Sequence, residues 1–121
     1  MKRIVLFSHK GGVSKTTTIF HIGWKIAELG HKVLLVDADS QCNLSSYFLG
    51  GKFDEYYSSE ETKNNNIKDG VSVAFESKPT PITALTPVQA ERNKNLFLMP
   101  GHMNLSEYDA TLLVSMTIYW L

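Results

Sequence analysis

The chain has 121 residues, and its 12 lysines and arginines are balanced by 12 aspartates and glutamates. That length predicts one domain with a single core, and the charge balance excludes a general affinity for polyanions written into composition. The single cysteine, Cys42, excludes an internal disulfide and any multi-cysteine metal or iron–sulfur site.

The predicted elements follow in chain order. Met1-Lys2-Arg3 is basic, but the apolar run Ile4 to Phe7 is too short for an export signal. "RIVLFS" at 3–8 predicts a buried strand. Ile19, Ile22, Gly23, Ile26 and Leu29 then recur at helical spacing, with His21, Lys25 and Glu28 on the opposite face and Gly30 as the closing cap. "KVLLVD" at 32–37 predicts a second buried strand. Strand, helix and strand make a βαβ unit, whose strands run parallel through a right-handed crossover.

Beyond Asp39 the pattern is weaker. "NLSSYFLG" at 43–50 predicts a short helix, and the polar stretch 51–66 a mobile surface loop. "IKDGVSVAF" predicts a helix weakened by Gly70, and the prolines at 79, 81 and 87 an extended segment. "NLFLMPG" at 95–101 predicts a third buried strand. Asn104 and Glu107 then have the spacing of a capping box that opens a helix. The last apolar stretch, 112–121, is too short to cross a bilayer and lacks a basic face for lying on one. Its end, Tyr119 to Leu121, is expected as an exposed apolar tail. No membrane partner is expected, and the cytoplasm is the expected location.

The chemistry concentrates in "SHKGGVSKTTT" at 8–18, between the first strand and the helix. A helix N-terminus carries unpaired N–H groups and partial positive charge, so it attracts phosphate. Gly11 and Gly12 leave room for the backbone to curl round an anion. Lys15 can reach the β- and γ-phosphates, the Thr16 hydroxyl can ligate Mg²⁺, and Thr17 extends the cradle. The ordinary phosphate loop has glycine directly before its lysine, whereas Ser14 stands there and the glycines are paired behind Lys10.

"KGGVSKTTT" followed by "GHKVLLVDADSQCNLS" resembles the deviant Walker A ATPases of the ParA/MinD class, especially the Soj-like partitioning proteins. "NLFLMPGHMNLSEYD" is similar to the same family. The resemblance implies a P-loop NTPase-like α/β fold, three-layered α/β/α with a mainly parallel sheet. Residues 1–121 would be the N-terminal part of one such domain, so the fold would be incomplete. It implies ATP and Mg²⁺ as ligands. The nucleotide would be held by Lys10, Gly11, Gly12, Val13, Ser14, Lys15, Thr16 and Thr17. Lys15 is then the phosphate lysine, Thr16 the metal ligand, and Lys10 reaches the partner's phosphates across an ATP-sandwiched homodimer. Asp39 positions the attacking water, and Asp37 supports the metal through water. A ParB-like stimulating partner, and non-specific DNA bound through later segments at the nucleoid, are further implications.

The chain departs from the family pattern where Ser14, Ser40 and Cys42 replace glycine, proline and glycine. The alternative to an ATPase is a truncated nucleotide-binding or dimerisation module without hydrolysis. Plainer roles also exist: Asp37 and Asp39 as caps of the next helix, Cys42 as a small buried residue, and His102 as a turn residue. Phe20 and Trp24 read as core rather than a base-stacking platform, and His9, His21 and His31 are too scattered for a metal site.

Overall fold

The computed structural model describes residues 1–6, 14–76, 79–108 and 116–120. Its elements are β1 (Lys2–Leu6), α1 (Lys15–Glu28), β2 (Val33–Val36), α2 (Asn43–Leu49) and α3 (Phe53–Ser58). They are followed by α4 (Ile67–Phe75), β3 (Val88–Gln89), β4 (Leu96–Met99) and β5 (Met116–Trp120). Short 3-10 turns occupy Gly50–Lys52 and Met103–Tyr108.

The fold is α/β, with a mixed sheet in the order β1-β5-β2-β4-β3. β2 and β4 pair in parallel, Val33 opposite Leu96 and Val36 opposite Met99. β5 is antiparallel to both β1 and β2. β1 and β2 therefore run the same way, as the βαβ pattern predicts, with β5 between them. Tyr119 and Trp120 of the expected exposed tail are part of this strand, Tyr119 pairing with Arg3 on one side and Leu34 on the other; Leu121 lies outside the described residues.

One face of the sheet holds the core. Val33 and Leu35 of β2 and Leu96 and Leu98 of β4 pack with Ile19 and Ala27 of α1 and Leu44 of α2. Strand periodicity of two sends these residues to one side, while Leu34 and Phe97 on the other are half-buried. Gly23 lets α1 sit close to the sheet: a Cβ there would lie 2.7 Å from Leu35 Cδ2. Leu29, expected on the buried stripe, is 68% exposed, because the helix ends at Glu28 and Gly30 takes a positive φ of 92°. β1 is also less buried than expected. It lies at the sheet edge, and Val5 is 51% exposed.

Residues 51–66, expected as a mobile loop, carry the Gly50–Lys52 turn and α3. Side chains that read as merely polar tie this stretch down. Tyr56 is buried; its hydroxyl donates to the Asn65 carbonyl at 2.8 Å, and Asn65 Nδ2 donates back to it. Asn65 also pairs with the Thr86 backbone, donating to its carbonyl at 2.8 Å and accepting from its N–H at 2.9 Å. Buried Asn66 accepts from the Asp69 N–H at 3.0 Å and so caps α4. The expected helix at 104 is a 3-10 turn over its described part, Met103–Tyr108.

Candidate functional site

Topology brings Asp37 and Asp39, the described aspartates of the predicted site, to one edge of the sheet. Leu6 is opposite Met116, Val36 is opposite Thr117, and Val36 is level with Met99. β1, β2 and β4 therefore all end at the same edge. Asp37 to Cys42 follow β2 there, and Pro100 and Gly101 follow β4. Crevices outside the carboxyl ends of parallel strands are where open α/β sheets bind ligands. Lys10, Gly11, Gly12 and Val13 lie outside the described residues.

Ser14 opens α1 in the left-handed region, at φ 57° and ψ 19°. Its carbonyl accepts the first helical bond, from the Thr18 N–H at 2.9 Å. Its side chain makes no capping bond, and the first turn has no acidic residue. Neither the Ser14 side chain nor an acidic residue of the first turn therefore sits against the positive end of the α1 dipole, which favours an anion there. Lys15 and Thr16 are half-buried and Thr17 is exposed.

Among the described residues, Ser14 and Cys42 are the non-glycine residues with positive φ, Cys42 at 53°. They stand where the resemblance expects glycine. A side chain in this conformation costs roughly 1–2 kcal/mol through contact of Cβ with the carbonyl oxygen. Cys42 nevertheless stays buried at the start of α2. Burial, and then the nearby charges of Asp37 and Asp39, push its thiol up to about 12, so it is not a thiolate nucleophile at neutral pH.

Asp37 is fully buried. Its Oδ2 accepts from the Ser45 N–H at 2.7 Å and the Ser45 hydroxyl at 2.6 Å, and its Oδ1 accepts from the Asp39 N–H at 3.3 Å. It therefore caps α2 from outside the helix, the plainer role foreseen for it. Burial raises its pKa to about 6, against the pull of the Ser45 bonds. Asp39 is half-buried; its Oδ1 accepts from the Gln41 N–H at 2.9 Å and closes the turn. The sequence reading missed three residues behind Asp37. Ser45 Oγ accepts from the Gly101 N–H at 2.9 Å, and the Tyr57 hydroxyl donates to the Gly101 carbonyl at 2.6 Å. Burial pushes the Tyr57 phenol above its usual range. A Cβ on Gly101 would lie 2.8 Å from the Asp37 carbonyl oxygen, so the two turns touch backbone to backbone. The "PGH" motif was the only sequence signal for this contact.

The described residues hold no group of three or more His, Cys, Asp or Glu able to cage a metal. One threonine hydroxyl beside phosphates and waters is the donor set Mg²⁺ accepts, and Thr16 fits it. Both oxygens of Asp37 are engaged, so that carboxylate fits support through water rather than a direct bond.

The model of a family described as an AAA domain matches residues 1–118. The chain belongs to this family, whose relatives are ParA/MinD/Soj-type P-loop ATPases. It is 39% identical over 114 residues to the maintenance of carboxysome distribution protein A of Gloeothece citriformis, covering 92% of this chain and 38% of that protein. It is 50% identical over 46 residues to the chromosome-partitioning ATPase Soj of Thermus thermophilus, 38% of this chain and 18% of the relative. A crystal structure of a Corynebacterium diphtheriae protein superimposes with a TM-score of 0.72 at 28% identity, over 87% of this chain and 36% of that one. The chain thus spans well under half the length of these relatives.

Two predictions follow from this geometry. Ser14→Gly relieves a left-handed side chain but frees the unfolded chain, an opposing effect of about 0.4–1 kcal/mol. The expected net gain is about 1 kcal/mol or less, read as a raised urea midpoint. Asp37 has a folded pKa near 6 against an ordinary 3.8, so its contribution to stability is full below about 4 and is lost as pH rises through 6. In metal-free buffer the melting temperature of Asp37→Asn should therefore gain on the parent between pH 4 and 7; a constant difference would contradict the raised pKa.

Proposed function

We propose that this chain carries the nucleotide site of a ParA-type ATPase that binds Mg-ATP, dimerises around it and supports partitioning of plasmid or chromosomal DNA. The observation that carries the reading is the start of α1, where Ser14 makes no side-chain capping bond and the first turn holds no acidic residue, in a βαβ unit whose second strand leads into Asp37 and Asp39.

Each residue has a task within this reading. The backbone of Gly11, Gly12, Val13 and Ser14 curls round the phosphates, and the α1 N–H groups bond to them. Lys15 neutralises the β- and γ-phosphates, Thr16 offers its hydroxyl to the metal, and Thr17 reaches the α-phosphate. Bound Mg²⁺ supplies charge neutralisation at the phosphate oxygens. Asp39 orients the water that attacks the γ-phosphate, and Asp37 holds the turn bearing Asp39. Phosphoryl transfer needs little more than position and charge compensation, which this set supplies. Lys10, delivered from a second copy, adds positive charge at the partner's phosphates, so turnover depends on dimerisation.

A ParB-like protein is the proposed stimulating partner. The DNA contact belongs to segments that longer relatives contain, and the site of action is the cytoplasm at the nucleoid. Support for partitioning comes from the printed names of relatives such as Soj. Another relative is named for carboxysome distribution, so the cargo is a separate question from the phosphate site.

Calorimetry with Mg-ATP tests the reading. Lys15→Ala should weaken binding at least tenfold, because one charge-assisted phosphate contact is worth about 1.5–3 kcal/mol. Equal affinity in parent and variant would overturn the assignment.

A further inference from the structure

We propose that Ser45 is a positioning residue for the metal–nucleotide site: it locks the turn after β2 to the turn after β4, and so sets where Asp37 and Asp39 present their carboxylates. The proposal rests on the nucleotide reading above and adds a residue that neither the phosphate loop nor the paired aspartates reveal.

Ser45 is fully buried, and both its polar groups are committed. Its N–H and its hydroxyl proton go to the same oxygen, Asp37 Oδ2, at 2.7 and 2.6 Å. Having given its one proton to Asp37, the hydroxyl accepts from the Gly101 N–H at 2.9 Å. The directions of the bonds to Asp37 and from Gly101 are therefore determined, and the Tyr57 hydroxyl lies beside the same oxygen. Asp37 Oδ2 accepts both bonds from the α2 side, which leaves Oδ1 as the less occupied oxygen. That oxygen has one contact of 3.3 Å, from the Asp39 N–H. Asp39 is thus aimed by a chain of bonds that starts at Ser45.

The far side of the clamp is rigid too. Gly101 leaves no room for a Cβ against Asp37, and its carbonyl is held by the Tyr57 hydroxyl at 2.6 Å. The neighbouring Pro100 carbonyl accepts from the Ile67 N–H at 2.8 Å, which ties the same turn to α4. Tyr57 and Ile67 fix the Gly101 turn, and Ser45 joins it to the carboxylate by hydrogen bonds from its side chain to both. A hydroxyl at position 45 is needed for that, whereas volume alone would suffice for packing.

Amide hydrogen exchange on the nucleotide-free, metal-free chain, followed by calorimetry on the same samples, tests this. Ser45→Ala should speed exchange at the Gly101 and Asp39 amides at least tenfold, with the α1 and β2 amides unchanged. Ser45→Thr, which keeps the hydroxyl, should restore both. In calorimetry Ser45→Ala should weaken Mg-ATP binding at least tenfold and leave ATP binding in EDTA within twofold. Ser45→Cys, similar in volume but with a weak donor and acceptor, carries the same test if the alanine variant does not fold. Unchanged exchange at Gly101 and Asp39 overturns the clamp. Equally faster exchange throughout, or equal loss of both affinities, overturns it as well by making Ser45 a general stabiliser. A parent chain that binds no Mg-ATP overturns the nucleotide reading instead, and the local exchange change then marks Ser45 as structural only.

Discussion

Everything at the working edge of this molecule depends on supplying hydrogen-bond donors to the buried Asp37 carboxylate. A buried charge without donors costs several kcal/mol, so the chain must bring donors to it. Both stronger donors belong to Ser45, in the first turn of α2. α2 must therefore begin soon after β2, and the intervening residues must turn sharply enough to aim its N-terminus back at Asp37. The left-handed conformation of Cys42 makes that turn. The Gly101 N–H then completes Ser45, and Tyr57 and Ile67 complete the Gly101 turn.

The same reasoning explains why the chain tolerates strain at Ser14 and Cys42. Each side chain in the left-handed region costs roughly 1–2 kcal/mol, yet each stands at the start of a helix whose orientation the edge requires. At Cys42 burial of the thiol offsets part of the cost. At Ser14, which is exposed, no comparable burial offsets it. There the side chain makes no capping bond to the opening of α1.

Much of this was legible in the sequence. The strand, helix and second strand of the first forty residues, the α2 and α4 helices and the strand before Pro100 all correspond to elements of the fold. Local periodicity carries that information. What escaped depends on contacts distant in sequence. Polarity marked 51–66 as a loop, whereas Asn65 acts as a surrogate backbone partner for Thr86 and Asn66 as a helix cap. No composition rule separates such asparagines from solvated ones. The place of β5 between β1 and β2 is a matter of strand order, which a run of apolar residues does not encode. In the site, Asp37 and Asp39 were visible as a strand-end motif. Ser45, Tyr57 and Gly101 were not, since their roles arise only when three turns meet.

The central claim is that a metal–nucleotide complex sits between the N-terminus of α1 and the turn after β2. Paramagnetic broadening by Mn²⁺-ATP, read residue by residue in an amide NMR spectrum, tests it most directly. The account predicts the strongest broadening at Thr16, Asp37 and Asp39, with the β3 end of the sheet unaffected. Broadening centred elsewhere, or spread evenly over exposed carboxylates, would contradict it.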